Sequence, residues 1–328
     1  MQWQPSASIE RLRQRAAFLS QIRAFFAARN VMEVETPALC AGTITDVYLN
    51  GLPVQRRSSS THAPLYLQTS PEFSMKRLLA AGAPDIYQMA KCFREDESGR
   101  LHNVEFTMLE WYRLGFSMHE LIAEVSDLLA HVLPCERAAI RQMSYQQAFI
   151  DSLDIDPLSV TLDTLVELAN TKGFGDYILQ LKQSNHEQQA LQDAILQLLF
   201  SQCIEPNIGQ DYPVCVYEFP ASQASLAKLA PCGKTALRFE FYYRSVELAN
   251  GFEELTDAKL QRKRFEQDNA LRQSLQLPTK PIDERFLGAL EHGLPQCSGV
   301  ALGVDRLIML ALKADAISEV ISFDETRA

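Results

Sequence analysis

The chain has 328 residues, 47% of them hydrophobic, and 31 Lys and Arg against 41 Asp and Glu leave a net charge of −10. That length holds one large or two modest cores, and the acidic balance argues against a dedicated nucleic-acid binder, which carries a basic excess or arm. No run of about 18 apolar residues spans a membrane, the N-terminal MQWQPSASIERLRQR lacks a signal core, and seven cysteines without a CxxC pair predict free thiols in a reducing cytoplasm and no zinc site.

Leu12, Leu19, Ile22 and Phe26 recur at helical spacing and predict a helix from Ser8 to Asn30, closed by a left-handed Asn30. Val31–Pro37 reads as a strand, with Glu33 and Glu35 facing away from Met32 and Val34. Tyr66–Thr69 is another strand, ended by Ser70-Pro71, and Glu72–Ala81 is a short helix. Ile86–Arg94 and Val104–Leu114 read as a hairpin around a polar loop. Ser117 and Glu120 form a capping box for a helix to Leu133. From Met143 to Cys203 the pattern is mostly helical without a chemical motif, so a helical insertion at about 117–205 is expected within a single domain spanning 1–328.

Pro213–Phe219 and Thr235–Asn250 return to strand alternation, and Thr256 caps a polar helix to about Leu275. The basic clusters Arg11, Arg13, Arg15 and Arg262, Lys263, Arg264 sit in helical patterns and read as solvated faces. Cys297–Leu310 reads as a strand, Gly303, then a helix carrying Arg306. Hairpins with helices added between them predict an α+β fold, an antiparallel sheet flanked by helices.

The richest segment is CFREDESGRLHNVEFTMLEWY, Cys92 to Tyr112. Alternation puts Phe106, Met108, Glu110 and Tyr112 on one strand face, beside a neighbouring strand that ends at Arg94. A carboxylate among apolar residues needs a partner. Glu110 therefore either grips a cationic ligand or pairs internally with Arg94 or Arg113. Glu240, Glu247 and Glu254 recur every seven residues, the first two in strand runs among aromatics, where they are either solvated charges or oxygen ligands. At Gly303 the backbone can approach a ligand, and the following helix start with Arg306 suits an anion.

Together, EVETPAL, the strand–loop–strand around Arg94 and the strand–helix with Arg306 resemble the three signature motifs of class II aminoacyl-tRNA synthetases. QTSPEF, HNVEFTMLEWY, VELANGFEEL and ALGVDR resemble the lysyl-tRNA synthetase branch, from about Ser8 to the end. The first helix begins almost at once, with no anticodon-reading OB-fold before it, so the chain is most similar to the stand-alone elongation factor P–lysine ligases.

That resemblance implies a class II catalytic core, ATP and Mg²⁺ as cofactors, and a homodimer formed through the first motif. The reaction it implies activates lysine or (R)-β-lysine as an adenylate and passes it to a lysine ε-amine of elongation factor P. A truncated synthetase charging tRNA and a non-catalytic regulatory relative are the alternatives. The acidic charge speaks against the first, and Arg94, Arg306, Glu240 and Glu247 against the second.

By the same resemblance Arg94 bridges the substrate carboxylate and the α-phosphate, and Arg306 holds the tail of ATP. Phe106 stacks on adenine. His102, Asn103, Leu248 and Gly303 contact the nucleotide, and Glu240 and Glu247 hold Mg²⁺. Ser70, Pro71 and Glu72 meet the α-amine, while Glu110, Tyr112, Asn250 and Glu254 form the lysine pocket, with Glu254 and Tyr112 at the ε-amine. Two departures stand out. The family's F-R-N-E is Phe93-Arg94-Glu95-Asp96 here, so either Glu95 or Asp96 takes the adenine-contacting position. Ala301 replaces a glycine of the synthetases, and its methyl favours an isomer with a displaced amine, (R)-β-lysine, by about 1–3 kcal/mol.

Overall fold

The computed structural model describes residues 3–47, 49–55, 64–95, 98–183 and 187–328; the expected adenine contact at Asp96 lies outside them. Helix α1 (Ile9–Ala27) starts under the Ser8 hydroxyl, which accepts from the Arg11 amide, and the chain turns at Asn30 with φ 55°. A short polar side chain tolerates that left-handed turn. Strand β1 (Met32–Glu33) is followed by β2 (Leu39–Cys40), β3 (Pro53–Val54) and β4 (Leu65–Leu67), the last three forming a small sheet in the order β2-β4-β3. Next come α2 (Glu72–Ala80), β5 (Ile86–Phe93), β6 (Glu105–Leu114), α3 (Met118–Val132) and β7 (Arg141–Ser144).

A helical stretch follows: α4 (Tyr145–Leu153), α5 (Leu162–Thr171), α6 (Gly175–Gln183) and α7 (Gln188–Leu199), which runs into a π-helical turn, Phe200–Ile204, and a 3₁₀ turn, Glu205–Asn207. The chain closes with β8 (Val214–Tyr217), β9 (Arg238–Tyr243), β10 (Val246–Glu253), α8 (Ala258–Ser274), α9 (Glu284–Gly293), β11 (Cys297–Gly303) and α10 (Val304–Ala311).

Among the described residues, eight strands form one sheet in the order β1-β5-β6-β11-β10-β9-β8-β7. Its centre is antiparallel, as expected, and only the edge pairs β1–β5 and β7–β8 are parallel. The strand expected over Val31–Pro37 is shorter: two residues pair with β5, and the Val34 amide adds one bond to the Tyr87 carbonyl. Pro37, without an N–H, cannot extend an edge ladder.

Alternation divides the sheet cleanly. Leu109 and Trp111 of β6, Phe239 and Phe241 of β9, and Leu302 of β11 point to one side, against Phe26 of α1, Leu121 and Val125 of α3, and Leu307 of α10. That layer is the main core. A second core joins Tyr145, Phe149, Ile195, Leu199 and Phe200 of the helical stretch to Val216 and Tyr242. A third packs Met75 and Leu79 of α2 against Phe265 and Phe286, with Tyr112. The opposite face of the central strands mixes a small apolar cluster, Ala90, Cys92 and Met108 with Phe106 and Ala301, with polar residues such as Glu110, Glu240 and Asn250.

The capping box of α3 forms as expected: the Glu120 amide donates to Ser117 Oγ at 3.3 Å, and the Ser117 amide donates to Glu120 Oε2 at 2.8 Å. Helix α8 is capped by Asp257 in place of Thr256, its carboxylate accepting from the Leu260 amide at 2.9 Å. The basic clusters are not simply solvated. Arg11 donates to the Leu312 carbonyl, Arg15 pairs with buried Asp305, Arg262 pairs with Glu284, and Arg264 donates to the Ser225 and Ala227 carbonyls. No helix among the described residues is long and apolar enough to cross a membrane.

Candidate active site

Strand register builds the site. Glu240 on β9 pairs with Asn250 on β10, Asn250 with Ala301 on β11, Ala301 with Glu110 on β6, and Glu110 with Gln88 on β5. This row crosses five strands on the face opposite the main core. Next to it, Tyr112 pairs with Gly299, where an added Cβ would lie 2.3 Å from the Tyr112 ring and 2.6 Å from Glu254 Oε1. Only glycine lets the ring and the carboxylate close over the strand.

One irregularity decides which side chain enters the site. Strict alternation from Asn250 would point Leu248 at the site and Glu247 into the core. The register shifts between Glu247 and Ala249, so Leu248 is buried in the main core and Glu247 faces the open side. A bulge that re-aims one side chain is a common device beside active sites.

A cavity of about 1030 Å³ opens over this face. Of the residues expected at a site, Arg94, His102, Asn103, Phe106, Glu240, Glu247, Leu248, Asn250, Ala301, Gly303 and Arg306 line it. The Arg94 guanidinium stands 5.1 Å from the Phe106 ring centre. Arg306 donates to the carbonyls of Leu101 (3.2 Å) and Glu247 (2.9 Å) and meets His102 Nε2 at 2.6 Å. Carbonyls do not cancel its charge, so it is a fixed cation beside the cavity. Gly303 caps α10 with an ordinary φ of −74°, and an added Cβ would make only ordinary contacts with Arg306, so neither backbone conformation nor packing within the chain requires a glycine there. Asn103 is used internally, donating to the Glu105 carbonyl and accepting from the Glu325 amide. Glu95 is exposed, its amide bonded to the Asn50 carbonyl, and it does not line the cavity.

The paired glutamates differ. Glu240 accepts from Arg238, Tyr242 and, at 3.0 Å, Asn250. Among the described residues no side chain donates a hydrogen bond to Glu247; burial, then Glu240, raises its pKa, against Arg306, Arg238 and Arg94. Glu205, from the 3₁₀ turn after α7, lines the same cavity, and burial with Glu247 and Glu240 pushes it up to about 7. Among the described residues no three His, Cys, Asp or Glu side chains are grouped to hold a metal alone. A buried carboxylate facing the cavity, with a second carboxylate beside it and room for phosphates, nonetheless fits Mg²⁺, which takes one or two carboxylates plus nucleotide oxygens.

The remaining expected residues form a buried knot beside the cavity. Ser70 Oγ donates to Glu110 Oε2 at 2.7 Å, the Tyr112 hydroxyl donates to Glu110 Oε1 at 2.6 Å, and the Glu72 amide donates to Ser70 Oγ at 3.0 Å, just after Pro71. Burial, then Glu72, pushes Glu110 up to about 7. Arg113 turns to the core side and meets Asp85 and Glu124. At the centre sits Lys76, 1% exposed, its Nζ 2.5 Å from both Glu72 Oε1 and Glu254 Oε2. Burial lifts Glu254 up to about 8, against the pull of Lys76, while Lys76 itself stays protonated between the two carboxylates.

Sequence reasoning missed Lys76, Arg238, Glu205 and Asp305. Two had signals: Lys76 lies one turn after Glu72 in an apolar helix, and Arg238 lies two before Glu240 on the same strand face. Asp305 accepts from the Thr107 amide and pairs with Arg15, locking α10 to β6 and α1. Nothing local marks Glu205.

Known proteins resemble this chain over nearly its whole length. Residues 1–327 match the family of tRNA synthetases class II (D, K and N). The elongation factor P–(R)-β-lysine ligase of Proteus mirabilis (strain HI4320) is 54% identical over 330 residues, covering 99% of this chain and 98% of that protein. The ligases of the same name from Pectobacterium carotovorum subsp. carotovorum (strain PC1) and Edwardsiella ictaluri (strain 93-146) are 52% and 54% identical at the same coverage.

Proposed function

The chain belongs to the class II tRNA synthetases (D, K and N), and from that premise we propose that it is an ATP-dependent ligase for elongation factor P. It activates lysine or (R)-β-lysine as an acyl-adenylate and transfers the acyl group to a lysine ε-amine of that protein, the activity named for its relatives. The observation that carries this is the row Glu240, Asn250, Ala301, Glu110, which sets an arginine-lined cavity beside a buried knot of carboxylates on one sheet face.

In the first half-reaction a carboxylate oxygen of the amino acid attacks the α-phosphorus of ATP, the bond to the bridging oxygen breaks and pyrophosphate leaves. Arg94 neutralises the charge growing between carboxylate and phosphate, and Arg306 that on the phosphate tail, without reorganisation during the step. Phe106 offers the aromatic surface for adenine. Glu247, with Glu240 behind it, would hold Mg²⁺, which when bound neutralises phosphate charge. Glu72 and Glu254 take the substrate's amines, with Glu110, Tyr112, Ser70 and Asn250 around them. In the second half-reaction the acceptor amine attacks the carbonyl carbon, AMP leaves, a proton is lost and an amide remains. Exposed Met32 and Leu39, beside Pro37, suit the homodimer contact that the first motif makes in this family.

The test supplies ATP, Mg²⁺ and labelled lysine or (R)-β-lysine with elongation factor P or total tRNA in parallel. Label on the protein, resistant to RNase and lost in folded Arg94→Ala and Arg306→Ala variants, is expected. RNase-sensitive label with none on the protein would mean tRNA charging and overturn the proposal.

A further inference from the structure

Resting on the function proposed above, we infer that Lys76 is a positioning residue for the amino-acid substrate. Its buried ammonium draws the carboxyl groups of Glu72 and Glu254 to one place, where they face the two amines of a diamino acid.

Lys76 does not line the ATP cavity. It lies on the buried side of α2, with its Nζ 6.0 Å from the Tyr112 ring centre and 5.8 Å from that of Phe286. A lysine in such surroundings costs several kcal/mol unless paired, and here it has two carboxylates at 2.5 Å each. Those contacts bring the two bonded oxygens, one from α2 and one from the end of β10, within about 5 Å of each other. Three carboxyl groups, those of Glu72, Glu110 and Glu254, surround one lysine, so the knot holds more acceptors than its own cation uses and has oxygens to offer the two ammonium groups of lysine or β-lysine. The substrate's own carboxylate is left for Arg94.

Without Lys76 the knot would lose the cation that opposes proton uptake by its carboxyl groups, and buried carboxylates without a cation take up protons. Glu254 responds first. The groups that face it are Glu72 and Lys76 from α2, Glu110 and Tyr112 from β6, and Cys297 from β11. Tyr112 and Cys297 stay neutral, both pushed up by burial, and Glu72 and Glu110 have the same sign as Glu254. Lys76 is the cation of the set. A protonated Glu254 no longer attracts an ammonium, so the substrate would bind only after the pH rises enough to ionise it again.

The experiment is amino-acid-dependent ATP–pyrophosphate exchange from about pH 6.5 to about pH 9 with Lys76→Met and Lys76→Arg. In Lys76→Met the KM for the amino acid should rise about tenfold or more at pH 7, one pKa unit being tenfold, and recover as pH rises. The KM for ATP should move less than about twofold, and Lys76→Arg should keep the original profile. An equal rise in KM at every pH, or a fall in kcat alone, would leave Lys76 as a structural cation and overturn the inference. If Lys76→Met does not fold, the double variant with Glu254→Gln, which buries one charge fewer, is measured; a KM that still recovers above about pH 8 in it would also overturn the inference. Absence of exchange in the unmodified protein would instead count against the proposed function.

Discussion

Glu240 and Glu247 look alike in the sequence, and the fold gives them different company. Glu240 faces Arg238, Tyr242 and Asn250, whereas Glu247 is turned into the cavity by the bulge after it. Glu240→Gln should therefore destabilise the protein by roughly 3 kcal/mol, because it leaves a buried guanidinium without its charge partner. Glu247→Gln should change stability by less than about 1 kcal/mol and raise the Mg²⁺ concentration needed for pyrophosphate exchange. Denaturant titration and Mg²⁺ titration of the two variants separate these roles, and equal stability loss in both would contradict the assignment. The seven-residue spacing pointed to both glutamates. It could not reveal their difference, which depends on a partner two residues away and on a bulge with no Gly or Pro to announce it. Ala301 was legible as a departure, and its register partners are Glu110 and Asn250, both in the proposed pocket. Ala301→Gly should raise the specificity for α-lysine relative to β-lysine by about tenfold. An unmoved ratio of kcat/KM for the two isomers would free Ala301 of that role.

At the level of elements, the hairpin of β5 and β6, the capping box of α3 and the strand–helix of β11 and α10 were readable because each is fixed by residues close in sequence. Strand β1 was overread because its length depends on a distant partner, β5. The two close approaches on β10 and β11 were invisible for the same reason. At Gly299 an added Cβ would meet Tyr112 and Glu254; at Gly251 it would lie 2.3 Å from the Phe239 ring and 2.9 Å from Val300, on the core side. Both alanine substitutions overpack and should cost about 1–3 kcal/mol. They should differ in function. Gly299→Ala displaces the tyrosine that donates to Glu110 and should raise the KM for the amino acid with little change for ATP. Gly251→Ala should lower stability and leave the ratio of the two KM values as it was. If Gly299→Ala affects both substrates alike, the tyrosine does not serve the amine pocket.

For the whole molecule, the order of the motifs made the α+β architecture legible, while the knot around Lys76 was not, since it joins side chains 178 positions apart in the chain. Charge tells more in three dimensions than in one. The net charge is −10, and several cations of the two basic runs are tied to acidic or carbonyl oxygens within the protein: Arg11, Arg15, Arg262 and Arg264. RNA binding needs cations free to displace counterions from phosphates, and it weakens steeply with salt in proportion to their number. A protein amine needs only a docking patch and the loss of one proton before it attacks. Transfer to elongation factor P should thus continue undiminished with about a tenfold excess of total tRNA, and its rate should vary little with salt near physiological strength. It should rise from about pH 7 to about pH 9, because the acceptor ammonium, with an ordinary pKa near 10.4, yields more free amine with each step upward. Strong inhibition by tRNA that disappears as salt is raised would reveal an RNA-binding surface assembled from the remaining cations, and would return tRNA to the list of acceptors.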